Sequence, residues 1–226
     1  MLIIFDCDGV LVDSEIIASE VNLELIKDLG MDLTLDELSQ RYSGLTAVKI
    51  FAQVAEELKR PLPLDLAERS DKMLDEALRQ SLQAVAGVHE MLDAMDDARC
   101  ICSNSTTPRL AQNLKLTNLY DRFHPHIYSA LEVRQNLPKP SPDVFLHAAE
   151  IFGATPAESI VIEDSSHGVE GAVAAGMRVI GFVGASHSYA GHSEKLMDAG
   201  AETTVSSLSD VPATVEALKS WSGVGV

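Results

Sequence analysis

The amino-acid sequence predicts an α/β fold, a doubly wound parallel sheet with a small helical domain inserted after its first strand. Four short, continuous apolar runs alternate with helical patterns, which is typical of strands buried on both faces of a parallel sheet. Residues 15–82 break this alternation, because they contain amphipathic helical patterns and no convincing strand. We therefore expect a core domain of residues 1–14 plus 83–226 and a helical cap domain of residues 15–82.

The expected elements follow from these patterns and from the residues that end them. The predicted strands are Leu2–Phe5, Arg99–Cys102, Ile160–Ile162 and Val179–Val183. The predicted cap helices are Glu15–Leu29, Leu35–Tyr42, Ala47–Leu58 and Leu64–Leu82. In the core, helices are expected from near Pro108, over Pro142–Phe152, over Gly168–Ala175 and over about Ser209–Lys219. Proline near a helix start and glycine just past its end, as in Pro142 and Gly153, support these limits.

Composition excludes several classes of function. The chain of 226 residues has 34 acidic and 17 basic side chains, a formal charge of −17, and no basic run. Nucleic acids and anionic membranes, which bind clustered positive charge, are therefore not expected as partners. No signal-like segment precedes the first strand and no apolar run approaches about 18 residues, so we expect a cytoplasmic protein. Three cysteines do not suggest a disulfide framework, and a monomer is the default expectation.

Polar side chains follow three of the four predicted strands, where a doubly wound sheet binds its ligands. These residues are Asp6 and Asp8 after the first strand, Ser103 and Asn104 after the second, and Glu163 and Asp164 after the third. Four carboxylates at one edge would repel each other unless a hard divalent cation held them, and Mg²⁺ suits carboxylate and phosphate oxygens. The sequence therefore predicts a magnesium site there.

Each of these short motifs alone has an ordinary structural interpretation. Asp-X-Asp-Gly occurs in turns, and Glu-Asp-Ser before a helix can be a cap. An EF-hand is excluded, because Leu11 and Ile17 stand where that loop requires Gly and Glu. The three motifs in order, each at the end of a strand, favour a catalytic site.

The four motifs together resemble the haloacid dehalogenase-like (HAD) hydrolase superfamily, in which most members are phosphatases. The run from Phe5 to Glu15 resembles its first motif, Ser103 its second, Lys139 between two prolines its third, and Glu163-Asp164-Ser165 its fourth. The match covers nearly the whole chain and implies a Rossmann-like core with an inserted cap.

The resemblance implies a role for each site residue. Asp6 would be the nucleophile that forms an aspartyl-phosphate, and Asp8 the general acid and base. The residues expected to bind the phosphoryl group are Ser103, Asn104 and Lys139, and those expected at Mg²⁺ are Asp6, Asp8, Glu163 and Asp164. Dehalogenases lack the second acid, so Asp8 favours a phosphate ester, and we expect a small phosphorylated metabolite as substrate.

The predicted cap is similar to that of the β-phosphoglucomutase and 6-phosphogluconate phosphatase subgroup. Its expected specificity residues are Ser43, Gly44, Leu45 and Lys49. A second anion-binding site would need cations in the cap, for which Arg41, Lys49 and Lys72 are the candidates. A sugar phosphate or sugar-acid phosphate is expected, with 6-phosphogluconate as one candidate.

Two alternatives remain open from sequence. A phosphomutase is disfavoured, because Ala18 occupies the position at which many relatives carry a histidine. A non-catalytic phosphate- or metal-binding module would be favoured if Asp6 or Lys139 were absent, and both are present. His187 and His192, in the loop after the fourth strand, could also approach the site.

Overall fold

The computed structural model of the chain describes residues 1–42 and 45–221 and contains a six-stranded parallel sheet. Its strands are β1 (Leu2–Phe5), β2 (Ala98–Ser103), β3 (Ile127–Ser129), β4 (Ser159–Glu163), β5 (Arg178–Phe182) and β6 (Thr203–Val205). They lie in the order β3-β2-β1-β4-β5-β6, and all neighbours are parallel. The strand order reverses between β1 and β4, which is the ligand-binding switch point of a doubly wound sheet. The predicted fold class is confirmed.

Helices cover both faces of the sheet and fill the segment between β1 and β2. Those between β1 and β2 are α1 (Ser14–Asp28), α2 (Leu35–Tyr42), α3 (Ala47–Leu58), α4 (Leu66–Ser81) and the short α5 (Val88–Asp93). The later ones are α6 (Thr107–Leu116), α7 (Tyr120–Phe123), α8 (Asp143–Phe152), α9 (Ser166–Ala174), α10 (His192–Asp198) and α11 (Val211–Trp221). Among the described residues, none of these helices is long and apolar enough to cross a membrane.

The central strand β1 is buried on both faces. Side chains alternate across a strand, so Ile3 and Phe5 join one hydrophobic cluster while Leu2 and Ile4 join another. Helices α5, α6 and α11 contribute to the first cluster, and α8, α9 and α10 to the second. Burial on both sides explains why β1 is apolar at every position.

Helices α1 to α4 share a hydrophobic cluster of their own, separate from those on the sheet. The two chain segments that connect these helices to the sheet lie side by side. The Asp13 N–H donates to the Gln83 carbonyl at 3.0 Å, and the Val85 N–H donates to the Leu11 carbonyl at 3.0 Å. The expected limits of the cap domain, at residues 15 and 82, lie next to these two hydrogen bonds. The division into two domains stays a prediction.

The patterns in the sequence did not predict the shortest strands and helices. The strands β1, β2, β4 and β5 lie within one residue of their predicted ends. Strands β3 and β6 were not predicted, since each has three residues and a partly polar composition at a sheet edge. Helices α5, α7 and α10 are also too short to show a clear helical period of apolar residues. The three cysteines are buried and free.

Helix α6 offers a test of the packing against the sheet. Leu114 is fully buried, whereas Leu116 in the same helix is 45% exposed. Leu114→Ala should lower the free energy of unfolding by about 2–5 kcal/mol, because it leaves a cavity in the core. Leu116→Ala should change it by less than about 0.5 kcal/mol. Urea denaturation of both variants checks this, and equal losses would contradict the packing described here.

Candidate active site

The carboxyl ends of β1, β2 and β4 open into a cavity of about 330 Å³. Residues from all three strand ends line it, namely Asp6, Asp8, Ser103, Asn104, Ser105, Glu163, Asp164 and Ser165. The loop before α8 contributes Lys139, and the loop after β5 contributes His187. The structure therefore brings the sequence-predicted residues of the core together around one space.

A buried lysine connects two of the strand ends. The Lys139 ammonium donates to Asp6 Oδ1 and to Glu163 Oε1, both at 2.6 Å. All three side chains are almost completely buried, so these contacts are shielded from solvent. The Asn104 side chain fixes the loop that carries the lysine, since its Oδ1 accepts from the Lys139 N–H at 2.8 Å.

Burial and charge set the protonation of this group. Burial raises the pKa of the Asp6 carboxyl well above its usual value, and Lys139 offsets part of that rise, while Glu163 and Asp164 add to it. Burial alone would lower the pKa of Lys139, but Asp6 and Glu163 outweigh it and raise that pKa. Lys139 is therefore a fixed positive charge that favours the anionic form of Asp6.

Three serine hydroxyls orient the Asp8 carboxylate. Ser14 donates to Oδ1 at 2.8 Å, and Ser105 and Ser103 donate to Oδ2 at 2.7 and 3.3 Å. These serines come from α1, from β2 and from the turn after β2. Asp8 therefore has a fixed side-chain direction at the edge of the cavity.

The Glu163 carboxylate is also fixed by hydrogen bonds. Its Oε2 accepts from the Ser165 N–H at 2.9 Å and from the Ser165 hydroxyl at 3.0 Å, while Oε1 accepts from Lys139. Gly168 in the first turn of α9 leaves room for it, because a Cβ at this position would lie 1.8 Å from Glu163 Oε1. Both carboxylate oxygens of Glu163 are thus satisfied by the protein.

Two histidines hold the neighbouring Asp164. The His187 ring nitrogen Nε2 lies 2.9 Å from Asp164 Oδ2, and His192 Nε2 lies 2.7 Å from the Asp164 carbonyl oxygen. Burial alone would lower the pKa of His187, but the hydrogen bond and charge of Asp164, with Glu15 and Asp13, raise it to about 9. At neutral pH, His187 is therefore a second cation in the site.

The turn after β1 needs glycine beside Asp164. Gly9 has a φ of +83°, and a Cβ there would lie 1.9 Å from Asp164 Oδ2. Any side chain at this position would therefore be strained and would displace the carboxylate.

The buried acidic residues fit a hard cation. Oxygens of Asp6, Glu163 and Asp164 lie within 4.8 Å of one another. Carboxylate oxygens in such a group are the ligands that Mg²⁺ and similar ions take, and these three carboxylates outnumber the two cations that contact them, Lys139 and His187.

The structure describes two of the four predicted specificity residues. Leu45 and Lys49, before and within α3, line the cavity opposite the strand ends. Ser43 and Gly44 lie outside the described residues.

Comparison with known proteins decides the family. A family model described as haloacid dehalogenase-like hydrolase matches residues 3–182, which is most of the chain. The chain belongs to the haloacid dehalogenase-like hydrolase family. The predicted superfamily is thereby confirmed, as is the prediction of a phosphatase-type hydrolase, since several curated relatives are named as phosphatases.

Two solved structures and one curated relative illustrate the similarity. A HAD-like protein of unknown function from Agrobacterium tumefaciens is 47% identical, with a TM-score of 0.93 over 96% of this chain and 98% of that one. A HAD family hydrolase from Deinococcus radiodurans, with bound phosphate and sodium, is 29% identical, with a TM-score of 0.82 over 96% of each chain. The 6-phosphogluconate phosphatase of Escherichia coli is 27% identical over 82% of this chain and 84% of its own.

Sequence reasoning assigned no role to three residues that the structure places in the site. Ser105 and Glu15 line the cavity, and His187 contacts Asp164. Ser105 and Glu15 adjoin the motifs, so their proximity in sequence was a usable signal. For His187, its place in the loop after β5 indicated only that it could approach the site. Its contact with Asp164 follows from the path of that loop, in which the Ser186 N–H donates to Asp13 Oδ1 at 3.2 Å.

Lys139 offers a test of the charge balance. Lys139→Met should lower the free energy of unfolding by about 3–5 kcal/mol at pH 8 in EDTA, because it leaves Asp6 and Glu163 buried and unpaired. The raised pKa of Asp6 means that its charge opposes folding above that pKa and is neutralised below it. The loss should therefore shrink at pH 5.5.

Urea denaturation at both pH values measures this effect. Lys72→Met is the matched control, since Lys72 pairs with Glu68 on the exposed surface. A Lys139 variant as stable as the Lys72 variant at pH 8 would contradict the proposed charge balance.

Proposed function

We propose that this HAD hydrolase is a Mg²⁺-dependent phosphatase for a small phosphorylated metabolite, acting through an aspartyl-phosphate on Asp6. The observation that carries the proposal is the arrangement of Asp6 and Asp8 at one cavity, with Lys139 on Asp6 and with Asp164 beside it. A nucleophile, an acid–base group and a cation for the phosphate are thus available within one space.

Asp6 is the proposed nucleophile. Its Oδ1 accepts from Lys139, and no donor from residues 1–42 and 45–221 bonds its Oδ2, which is the oxygen that would attack phosphorus. The bond from phosphorus to the leaving oxygen then breaks as the Asp6 oxygen–phosphorus bond forms. Ser103 and the Asn104 backbone N–H, at the end of β2, are the groups proposed to hold the phosphoryl oxygens, which the charge of Lys139 would stabilise.

Asp8 is the proposed general acid and base. It donates a proton to the leaving oxygen in the first step and accepts one from water in the second, when water releases inorganic phosphate from Asp6. The three serine donors fix the carboxylate beside the nucleophile, and a positioned acid contributes about 10²–10⁴-fold to the rate.

The metal is proposed to lie among Asp6, Asp8, Glu163 and Asp164. Asp6 and Asp164 would be direct carboxylate ligands, and Asp8 would contribute its backbone carbonyl. Both oxygens of Glu163 are already hydrogen-bonded, which favours contact through water. When bound, Mg²⁺ supplies positive charge for the phosphoryl oxygens.

The proposed substrate is a sugar phosphate or sugar-acid phosphate. The name of the Escherichia coli relative supports this class and keeps 6-phosphogluconate as a candidate, and the phosphate bound in the Deinococcus radiodurans structure supports a phosphoryl site. Leu45, Thr46 and Lys49, from the start of α3 and the residues before it, line the cavity and would contact the substrate. Hydrolysis is favoured over phosphomutase activity, because Ala18 offers no acid–base group.

Hydrolysis of p-nitrophenyl phosphate tests the reaction class and the nucleophile. We expect activity with Mg²⁺, its loss in EDTA, and its recovery when excess Mg²⁺ is added. Asp6→Asn should lower kcat by about 10⁴-fold or more, because the acceptor oxygen of the intermediate is lost. Circular dichroism should show that the variant is folded.

Asp121→Asn is the matched control, since Asp121 is exposed on α7, away from the cavity. It should retain wild-type activity. Activity that persists in EDTA, or an Asp6→Asn enzyme as active as the control, would overturn the proposed mechanism.

A further inference from the structure

The loop between β5 and α10, residues 183–191, contacts the residues that follow β1. Its His187 lines the cavity, and the side chain is only 8% exposed. The Ser186 N–H donates to Asp13 Oδ1 at 3.2 Å, and the Ser186 hydroxyl donates to Asp13 Oδ2. These two hydrogen bonds attach the loop to the residue before α1, and so they fix its path past the strand ends.

Two histidines of this segment hold one residue, Asp164, at different atoms. His187 Nε2 lies 2.9 Å from the side-chain oxygen Oδ2. His192, which is buried at the start of α10, has its Nε2 at 2.7 Å from the Asp164 backbone carbonyl and must donate to it, since a carbonyl oxygen only accepts. One histidine therefore fixes the backbone of Asp164, and the other fixes the direction of its carboxylate.

Ring packing keeps both histidines in place. The Tyr189 ring stacks on His192, with centroids 4.9 Å apart and planes 11° apart, and the rings of His187 and His192 meet edge to face at 5.7 Å. The turn at Gly9 is also close, because a Cβ there would lie 2.9 Å from His187 Cε1. A ring enclosed in this way has little freedom to move away from Asp164.

The contact with His187 leaves the other carboxylate oxygen of Asp164 available. Within the described part of the chain, Oδ1 of Asp164 accepts no hydrogen bond, whereas both oxygens of Glu163 do. Mg²⁺ demands near-ideal octahedral geometry, so its binding depends on the direction of each ligand oxygen. A carboxylate held at one oxygen presents the other in a defined direction, which is how outer hydrogen-bond partners orient metal ligands.

A protein cation beside a metal ligand can also compete with the metal for that ligand. In this cavity acidic side chains outnumber basic ones, even when both histidines are counted. The acidic ones are Asp6, Asp8, Glu15, Glu163 and Asp164, and the basic ones are Lys49, Lys139, His167 and His187. The remaining negative charge therefore still attracts a divalent cation while His187 holds Asp164.

We infer that His187 is a positioning residue for the metal, which holds Asp164 by Oδ2 and directs Oδ1 to the cation, while His192 fixes the backbone of the same residue. The inference rests on the proposed function, in which the cation lies beside Asp164. It gives the loop after β5 a role in metal affinity that is separate from the residues at the strand ends.

Binding of Mn²⁺ to the full chain without substrate tests this inference. Electron paramagnetic resonance measures free Mn²⁺ and so gives a dissociation constant without turnover, and displacement by Mg²⁺ shows that both ions use one site. His187→Phe keeps a ring but removes the donor nitrogen. It should weaken Mn²⁺ binding by about 10–100-fold, which is the usual effect of removing an outer partner of a metal ligand.

Rescue by a neutral donor separates positioning from charge and from folding. His187→Gln carries an N–H at a reach similar to that of Nε2, so it should bind Mn²⁺ within about 3-fold of the wild type. His124→Phe makes the same substitution at an exposed position after α7 and should leave binding unchanged. Circular dichroism checks folding. His187→Ala decides the question if the Phe ring prevents folding, and it should weaken binding to the same extent.

Unchanged Mn²⁺ binding in a folded His187→Phe would overturn the inference. Tighter binding would do so as well, because it would show that His187 competes with the metal. A His187→Gln variant as weak as His187→Phe would contradict the role of the donor nitrogen.

The wild type separates this inference from the proposed function. If the wild type binds Mn²⁺ that Mg²⁺ displaces, and His187→Phe binds it equally, only this inference fails. If the wild type binds no Mn²⁺, the metal of the proposed function fails together with it.

Discussion

The ion pairs of buried Lys139 with Asp6 and Glu163 are the interaction on which the site depends. The carboxyl ends of parallel strands lie at the same edge of the sheet. Here that edge brings together Asp6, Glu163 and Asp164, which are all buried. Without compensating charge, these buried carboxylates would destabilise the fold or take up protons. The lysine supplies one charge at 2.6 Å from two of the carboxylates, and the remaining surplus of negative charge is what a divalent cation would satisfy.

The rest of the site serves the same electrostatic requirement. Serine hydroxyls hold Asp8, Ser165 holds Glu163, and His187 and His192 hold Asp164. Glycines allow the backbone to pass close to these carboxylates, at Gly9 beside Asp164 and at Gly168 beside Glu163. In a chain with a formal charge of −17, the buried charge of Lys139, together with a divalent cation bound as proposed, would supply the local positive charge that a phosphate requires.

Local patterns in the sequence predicted the central sheet and most of the residues around the cavity. Strands such as β1 are fully apolar, so their position and the residues that follow them could be read directly. The edge strands β3 and β6 could not, because three partly polar residues carry no period. Contacts made by returning loops were also out of reach. The contact of His187 with Asp164 depends on tertiary packing rather than on spacing in the sequence.

Trapping the phosphoenzyme state tests the central claim most directly. A crystal structure with Mg²⁺ and beryllium fluoride, which mimics a phosphoryl group on a carboxylate, should show the adduct bonded to an oxygen of Asp6. Lys139 should contact the adduct, and the metal should lie between Asp6 and Asp164. An adduct on another residue, or a metal bound away from Asp164, would contradict the account.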